Sequence, residues 1–163
     1  MPLILILIAT ITDIKTRKIK NYTTIPMILT GLITALFFNG LNGLLISIVG
    51  MFALGFIMAV FPGFACGGGD IKLAAGCGAW MGIYANLNYY SLSRYILWFI
   101  IISLLTTWFM TTVLTIRKHG LLTFGRFIYV EVMSLFKVKN RYESVPMAPF
   151  MLIAYISTFF ILT

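Results

Sequence analysis

Residues 22–61 read YTTIPMILTGLITALFFNGLNGLLISIVGMFALGFIMAVF, two apolar runs, Tyr22–Phe38 and Leu44–Phe61, joined by the turn-like segment Asn39-Gly40-Leu41-Asn42-Gly43. A helix needs roughly 20 mostly apolar residues to cross the hydrocarbon core of a bilayer, with about 17 to 25 usual. Each run fits that range, and neither shows the period-two alternation of a barrel strand. The stretch predicts two membrane-spanning helices with a turn between them.

On either side the pattern continues. Ile71–Tyr90 is a weaker run rich in Gly and Ala, Tyr95–Ile116 is the clearest span, and Met147–Leu162 is the last. The first run, Pro2–Thr12, is short: at about 1.5 Å per residue it crosses about half the core before reaching Asp13. Either the helix runs on past Asp13 into the basic segment, or the span is short and the bilayer thins around it. A signal peptide fits poorly, because the charges follow the apolar run and no small-residue cleavage site stands after it.

Composition agrees. Of 163 residues 61% are hydrophobic and 10% charged, where a soluble domain carries about 25% charged residues. A mean hydropathy of +1.02 excludes disorder. Twelve Lys and Arg stand against four acids, for a net charge of +8. Cytoplasmic loops are enriched in Lys and Arg. With the N-terminus outside, Lys15, Arg17, Lys18, Lys20, Lys72, Arg117, Lys118, Arg126, Lys137, Lys139 and Arg141 fall inside, and Arg94 alone falls outside. All four acids also land inside. The predicted fold is all-α, a polytopic membrane protein of about six transmembrane helices with both termini outside. Leu121–Phe136 carries apolar residues at helical spacing around Arg126 and Glu131. It is expected as an amphipathic helix on the cytoplasmic face, its basic tail meeting anionic lipid headgroups or an acidic partner. No repeat or linker divides residues 1–163, which read as one membrane-embedded domain.

Ionisable residues at the membrane are costly and mark function by default. The two aspartates occupy equivalent places, Asp13 at the inner end of the first span and Asp70 at the inner start of the fourth. Converging carboxylates cannot easily both ionise, so the pair supplies a base to activate water and an acid to protonate a leaving amine. The bland alternative is that each Asp ends a helix in the headgroup layer. Around Asp70 the chain reads Gly67-Gly68-Gly69-Asp70-Ile71-Lys72-Leu73. Glycines there let the backbone turn tightly and approach an extended peptide closely. A phosphate loop does not fit, since no Gly-Lys-Ser/Thr follows and an acid sits where phosphate would bind.

Here the sequence resembles a family. Gly67–Leu73 fits the Gly-x-Gly-Asp motif of intramembrane-type aspartic proteases, in the form seen in type IV prepilin peptidases. Asp13-Ile-Lys-Thr-Arg17-Lys-Ile19-Lys-Asn21 is similar to that family's Asp-x-x-x-Arg-x-Ile-x-Asn pattern, and Val145-Pro146-Met147-Ala148-Pro149-Phe150 to the proline-bearing segment opening its last span. The resemblance implies catalysis by Asp13 and Asp70, with Gly67, Gly68 and Gly69 shaping the loop that positions Asp70. Lys72 is grouped with these substrate-binding or loop-shaping residues, a headgroup or helix-end contact being favoured for it over catalysis. It implies hydrolysis of the leader from prepilin-like precursors at the cytoplasmic face of the inner (plasma) membrane, with no cofactor, no metal and no covalent intermediate. Larger members carry an N-terminal region with paired Cys-x-x-Cys motifs that binds zinc and methylates the mature pilin. This chain has only Cys66 and Cys77, whose spacing does not resemble a zinc site. It therefore resembles the short, peptidase-only branch found with tight-adherence (Flp-type) pili, and methyl transfer is not expected. Archaeal preflagellin peptidases share the two-aspartate plan, so the pilin class stays open.

The remaining features read blandly. Cys66 and Cys77 suit apolar packing, and Gly78-x-x-x-Gly82 permits close helix approach, within the monomer or between copies. Tyr89, Tyr90, Tyr95 and Trp98 are expected as an outer aromatic belt, and His119 as a solvated loop residue. The expected partners are the lipid bilayer and a prepilin-like protein, with no nucleic acid, since the basic surface already marks topology. A protease of signal-peptide remnants is disfavoured because Thr12, not Tyr, precedes Asp13. From another class, the alternative is a small transporter or pilus-assembly scaffold whose two Asp bind an ion or proton.

Overall fold

The computed structural model describes residues 2–60, 67–85, 88–119 and 146–162, without the side chains of 114, 115, 118 and 119. The described residues are all-helical, with no strand. In order they form α1 (Pro2–Thr16), α2 (Asn21–Val60), α3 (Gly68–Tyr84), α4 (Tyr89–His119) and α5 (Ala148–Leu162).

Residues Tyr22–Phe38 and Leu44–Val60 both lie in α2, which is two helices meeting at a kink. Gly40 takes φ 64°, ψ −156° there, outside helical space and open only to a residue without a Cβ. The chain folds back on itself at this point. In a straight helix residues 35 and 43 would stand about 12 Å apart, yet a Cβ added to Gly43 would lie 2.8 Å from the Ala35 carbonyl oxygen.

Helix α3 packs against both arms of α2. Along the first arm the chains run parallel: Met27 covers Gly76, and Gly31 meets Ala79 and Trp80. The Trp80 indole N–H donates to the buried Met27 carbonyl at 3.0 Å. At the tip, the Asn39 amide donates to the Ile83 carbonyl at 3.4 Å. Along the second arm the chains run antiparallel, with Ser47 on Gly82, Gly50 on Gly78 and Gly55 on Ala75. A Cβ on Gly50 would sit 2.5 Å from the Gly78 carbonyl oxygen, so main chain rests on main chain. Small residues permit this approach, which dispersion and not hydrophobicity drives inside lipid. The Gly78–Gly82 step therefore packs within the monomer.

Helix α5 lies against α4 and α1 and completes the bundle. Ile6, Met27, Leu54, Leu73, Phe99 and Met151 are buried at its centre. Outside is a broad apolar surface, with Phe37, Phe38, Leu41 and Phe160 each more than 70% exposed. A soluble monomer rarely leaves so much contiguous apolar area in water. Helix α2 and residues Tyr89–Val113 of α4 are long and apolar enough to cross a membrane. Together these features place the chain in a membrane.

Several expectations are refined here. Helix α1 continues through Asp13 to Thr16, the first of the two options for the opening run. The Ile71–Tyr90 run divides, because α3 ends at Tyr84 and Tyr89 opens α4. Tyr89, Tyr90 and Trp98 are exposed, but Tyr95 is 7% exposed and turns inward, against the aromatic-belt expectation. With Tyr84 and Tyr155 it lines a small cleft between α3, α4 and α5. Cys77 is fully buried. His119 is the last residue of α4, with its side chain among those not described, and Cys66 and the expected amphipathic helix Leu121–Phe136 lie outside the described residues.

Candidate active site

In α1 the buried positions are Pro2, Ile6, Ala9, Thr10 and Asp13. Their spacing marks one helix face, continued to the helix end by a carboxylate. Asp13 is 5% exposed, and a buried carboxylate requires a donor. The Ala148 main-chain N–H supplies one, donating to Asp13 Oδ2 at 3.1 Å. Four residues on, Arg17 ends the helix. Its N–H donates to the Asp13 carbonyl at 2.8 Å, and it adopts φ 51°, the left-handed conformation that glycine usually provides at a helix end.

Asp70 is the third residue of α3 and half-buried. Its Oδ2 accepts from the Gly67 N–H at 2.9 Å, the reach of an acid in the first turn back to the residue that caps it. The negative charge also lies at the favourable end of the helix dipole. The glycines differ in their surroundings. A Cβ on Gly69 would lie 2.9 Å from the Ile19 Cβ and 3.1 Å from its carbonyl oxygen, while one on Gly68 would meet nothing within 4 Å. The close passage of Gly69 over Ile19 sets α3 against the segment joining α1 to α2.

These contacts bring residues far apart in sequence to one recess of about 280 Å³, lined by Asp13, Arg17, Lys18, Ile19, Gly67, Gly68, Gly69 and Asp70. Both aspartates line this one recess, and two cationic residues, Arg17 and Lys18, stand on the same rim. Chemically, such a recess can activate a water with one carboxylate, hold a proton on the other and accept an extended main chain along the glycines. Lys72 does not line it. The Lys72 ammonium instead donates to Asn21 Oδ1 at 3.0 Å, tying the start of α3 to the start of α2. Among the described residues no group of three or more His, Cys, Asp or Glu could hold a metal ion.

Sequence reasoning singles out both aspartates, the glycines and Lys72, but not the contact between Asp13 and Ala148. It also leaves Lys18 as a topology marker and Asn21 without a role. The Asp-x-x-x-Arg-x-Ile-x-Asn spacing was the available signal. It carries Arg17 and Ile19 to the rim and Asn21 to Lys72.

The chain is similar to known proteins. Over 101 residues the chain is 36% identical to a prepilin peptidase of Methanocaldococcus jannaschii, covering 62% of this chain and 28% of that one. Over 104 residues it is 36% identical to a preflagellin peptidase of Methanococcus voltae, covering 58% of this chain and 44% of that one. The chain thus spans less than half the length of either relative. No solved structure matches it. The sequence profile of the type IV leader peptidase family matches residues 1–116, a stretch that includes both aspartates and the glycine run. With more than two-thirds of its length so matched, the chain belongs to the type IV leader peptidase family.

Proposed function

We propose that this chain is an aspartic endopeptidase that removes the leader from type IV prepilin-like precursors at the cytoplasmic face of the cell membrane. The observation that carries the reading is the shared recess: Asp13 of α1 and Asp70 of α3 line one cavity with the Gly67–Gly69 run. In the proposed reaction one carboxylate takes a proton from water as it attacks the scissile carbonyl. The other, holding the proton the pair shares, protonates the departing amine. The products are a free carboxylate and a free amine, with no covalent intermediate. The substrate class follows from relatives whose names specify prepilin and preflagellin. We further propose that α1, the two arms of α2, α3, α4 and α5 are six spans with both termini outside, forming one domain.

The test uses the full chain in detergent or proteoliposomes with a prepilin-like precursor, following release of the leader. Asp13→Asn and Asp70→Asn are each expected to lower cleavage by at least about 10²-fold, the scale of general acid–base catalysis. Cleavage by both variants at the parent rate overturns the two-aspartate reading. A parent that never cleaves, with ion flux governed by either aspartate, would establish the transporter alternative.

A further inference from the structure

The segment Pro146-Met147-Ala148-Pro149 lies outside the family profile, which ends at residue 116. It opens α5, whose first helical residue is Ala148. The first four N–H groups of any helix have no acceptor within the preceding turn. Here Pro149 has none to donate, and the Phe150 and Met151 N–H groups both reach the Met147 carbonyl at 3.1 Å. The Ala148 N–H is left without an acceptor in its own helix, at a fully buried residue. It donates to Asp13 Oδ2, 135 residues away. The carboxylate is itself buried, so each group supplies what the other needs. Asp70 has its donor three residues away in its own cap, whereas Asp13 takes a donor from the far end of the chain.

We propose that the opening turn of α5 is a working part of the site, with the Ala148 N–H as the positioning group that holds the Asp13 carboxylate toward the recess. This rests on the reading of Asp13 as catalytic. Pro146 and Pro149 lack an N–H, and the Ala148 N–H between them donates to one carboxylate oxygen of Asp13. A turn 135 residues from Asp13 would then set how that carboxylate meets water.

The test replaces the donor and keeps the helix. Proline is favoured at the first helical position, and Met147 before it is not helical, so Ala148→Pro deletes the N–H at a site suited to proline. The expected result is a roughly ten- to hundred-fold fall in kcat, the range of a lost hydrogen bond to a charged group. KM stays close to the parent, while the thermal midpoint falls by a few degrees because the buried carboxylate loses a donor. Ala148→Ser and Ala148→Gly keep the N–H and should hold kcat within about threefold. If the proline variant fails to fold, an amide-to-ester replacement at residue 148 removes the same N–H without the ring and carries the same expectation. A folded donor-deleted protein with parental kcat overturns the inference. Asp13→Asn is assayed in parallel: if it also cleaves normally, the aspartyl reading has failed, and if it is inactive, only the role of Ala148 has.

Discussion

At the scale of single residues, three consecutive glycines do three different jobs. A Cβ on Gly67 would touch Asp70 Oδ2 at 3.3 Å, one on Gly69 would press on Ile19, and one on Gly68 would meet open space at the recess. Gly69→Ala should therefore cost stability as well as activity, about 1–3 kcal/mol in an unfolding titration, because Ile19 backbone cannot step aside. Gly68→Ala should leave stability within about 0.5 kcal/mol and still raise KM several-fold, since its methyl enters the proposed substrate path. A Gly68→Ala protein that cleaves with parental KM would show that substrate does not pass along that residue. The glycine run stands out in the sequence, but which glycine faces solvent and which faces Ile19 does not. That depends on how α3 is rotated about its axis.

At the scale of elements, the hairpin of α2 wrapped on α3 is the frame that brings Asp70 to its place. Its contacts are main chain on main chain at Gly50 and Gly78, and main chain on Ser47 at Gly82. Gly76 differs, because the atoms nearest its missing Cβ belong to the Met27 side chain. Gly78→Ala is accordingly expected to destabilise the bundle by about 2 kcal/mol or more, with the helices forced apart. Gly76→Ala should cost less than about 1 kcal/mol, since a thioether chain repacks readily. Thermal unfolding of the two variants in the same detergent checks the contrast, and equal losses would refute the packing account. The Gly78-x-x-x-Gly82 spacing announces close approach in the sequence. Its partner is legible only once the chain reversal at Gly40 returns the second arm of α2 to α3.

At the scale of the whole molecule, the bias of Lys and Arg predicts orientation, and the apolar exterior predicts the lipid boundary. Lys18 and Arg94, both exposed, should lie on opposite sides of the membrane under the proposed topology. In a cysteine-free background, an impermeant thiol reagent added to intact cells should label a cysteine at 94 and spare one at 18. Inverted vesicles should show the reverse. Labelling of position 18 from outside would invert the topology and move the recess off the cytoplasmic face.

The helical membrane class, the apolar runs and the chain reversal near Gly40 were all readable from residue order, because composition, run length and a glycine in a short polar turn act locally. So was the relation of Asp70 to its own helix start, a matter of three residues. Other contacts belong to the folded bundle: Ala148 beneath Asp13, Lys72 on Asn21 across 51 residues, Tyr95 turned inward, and two aspartates lining one recess. In water the apolar face of a helix announces its inner side. In lipid both faces are apolar, so periodicity is silent about rotation, and only the packing of one helix on another chooses which residues meet.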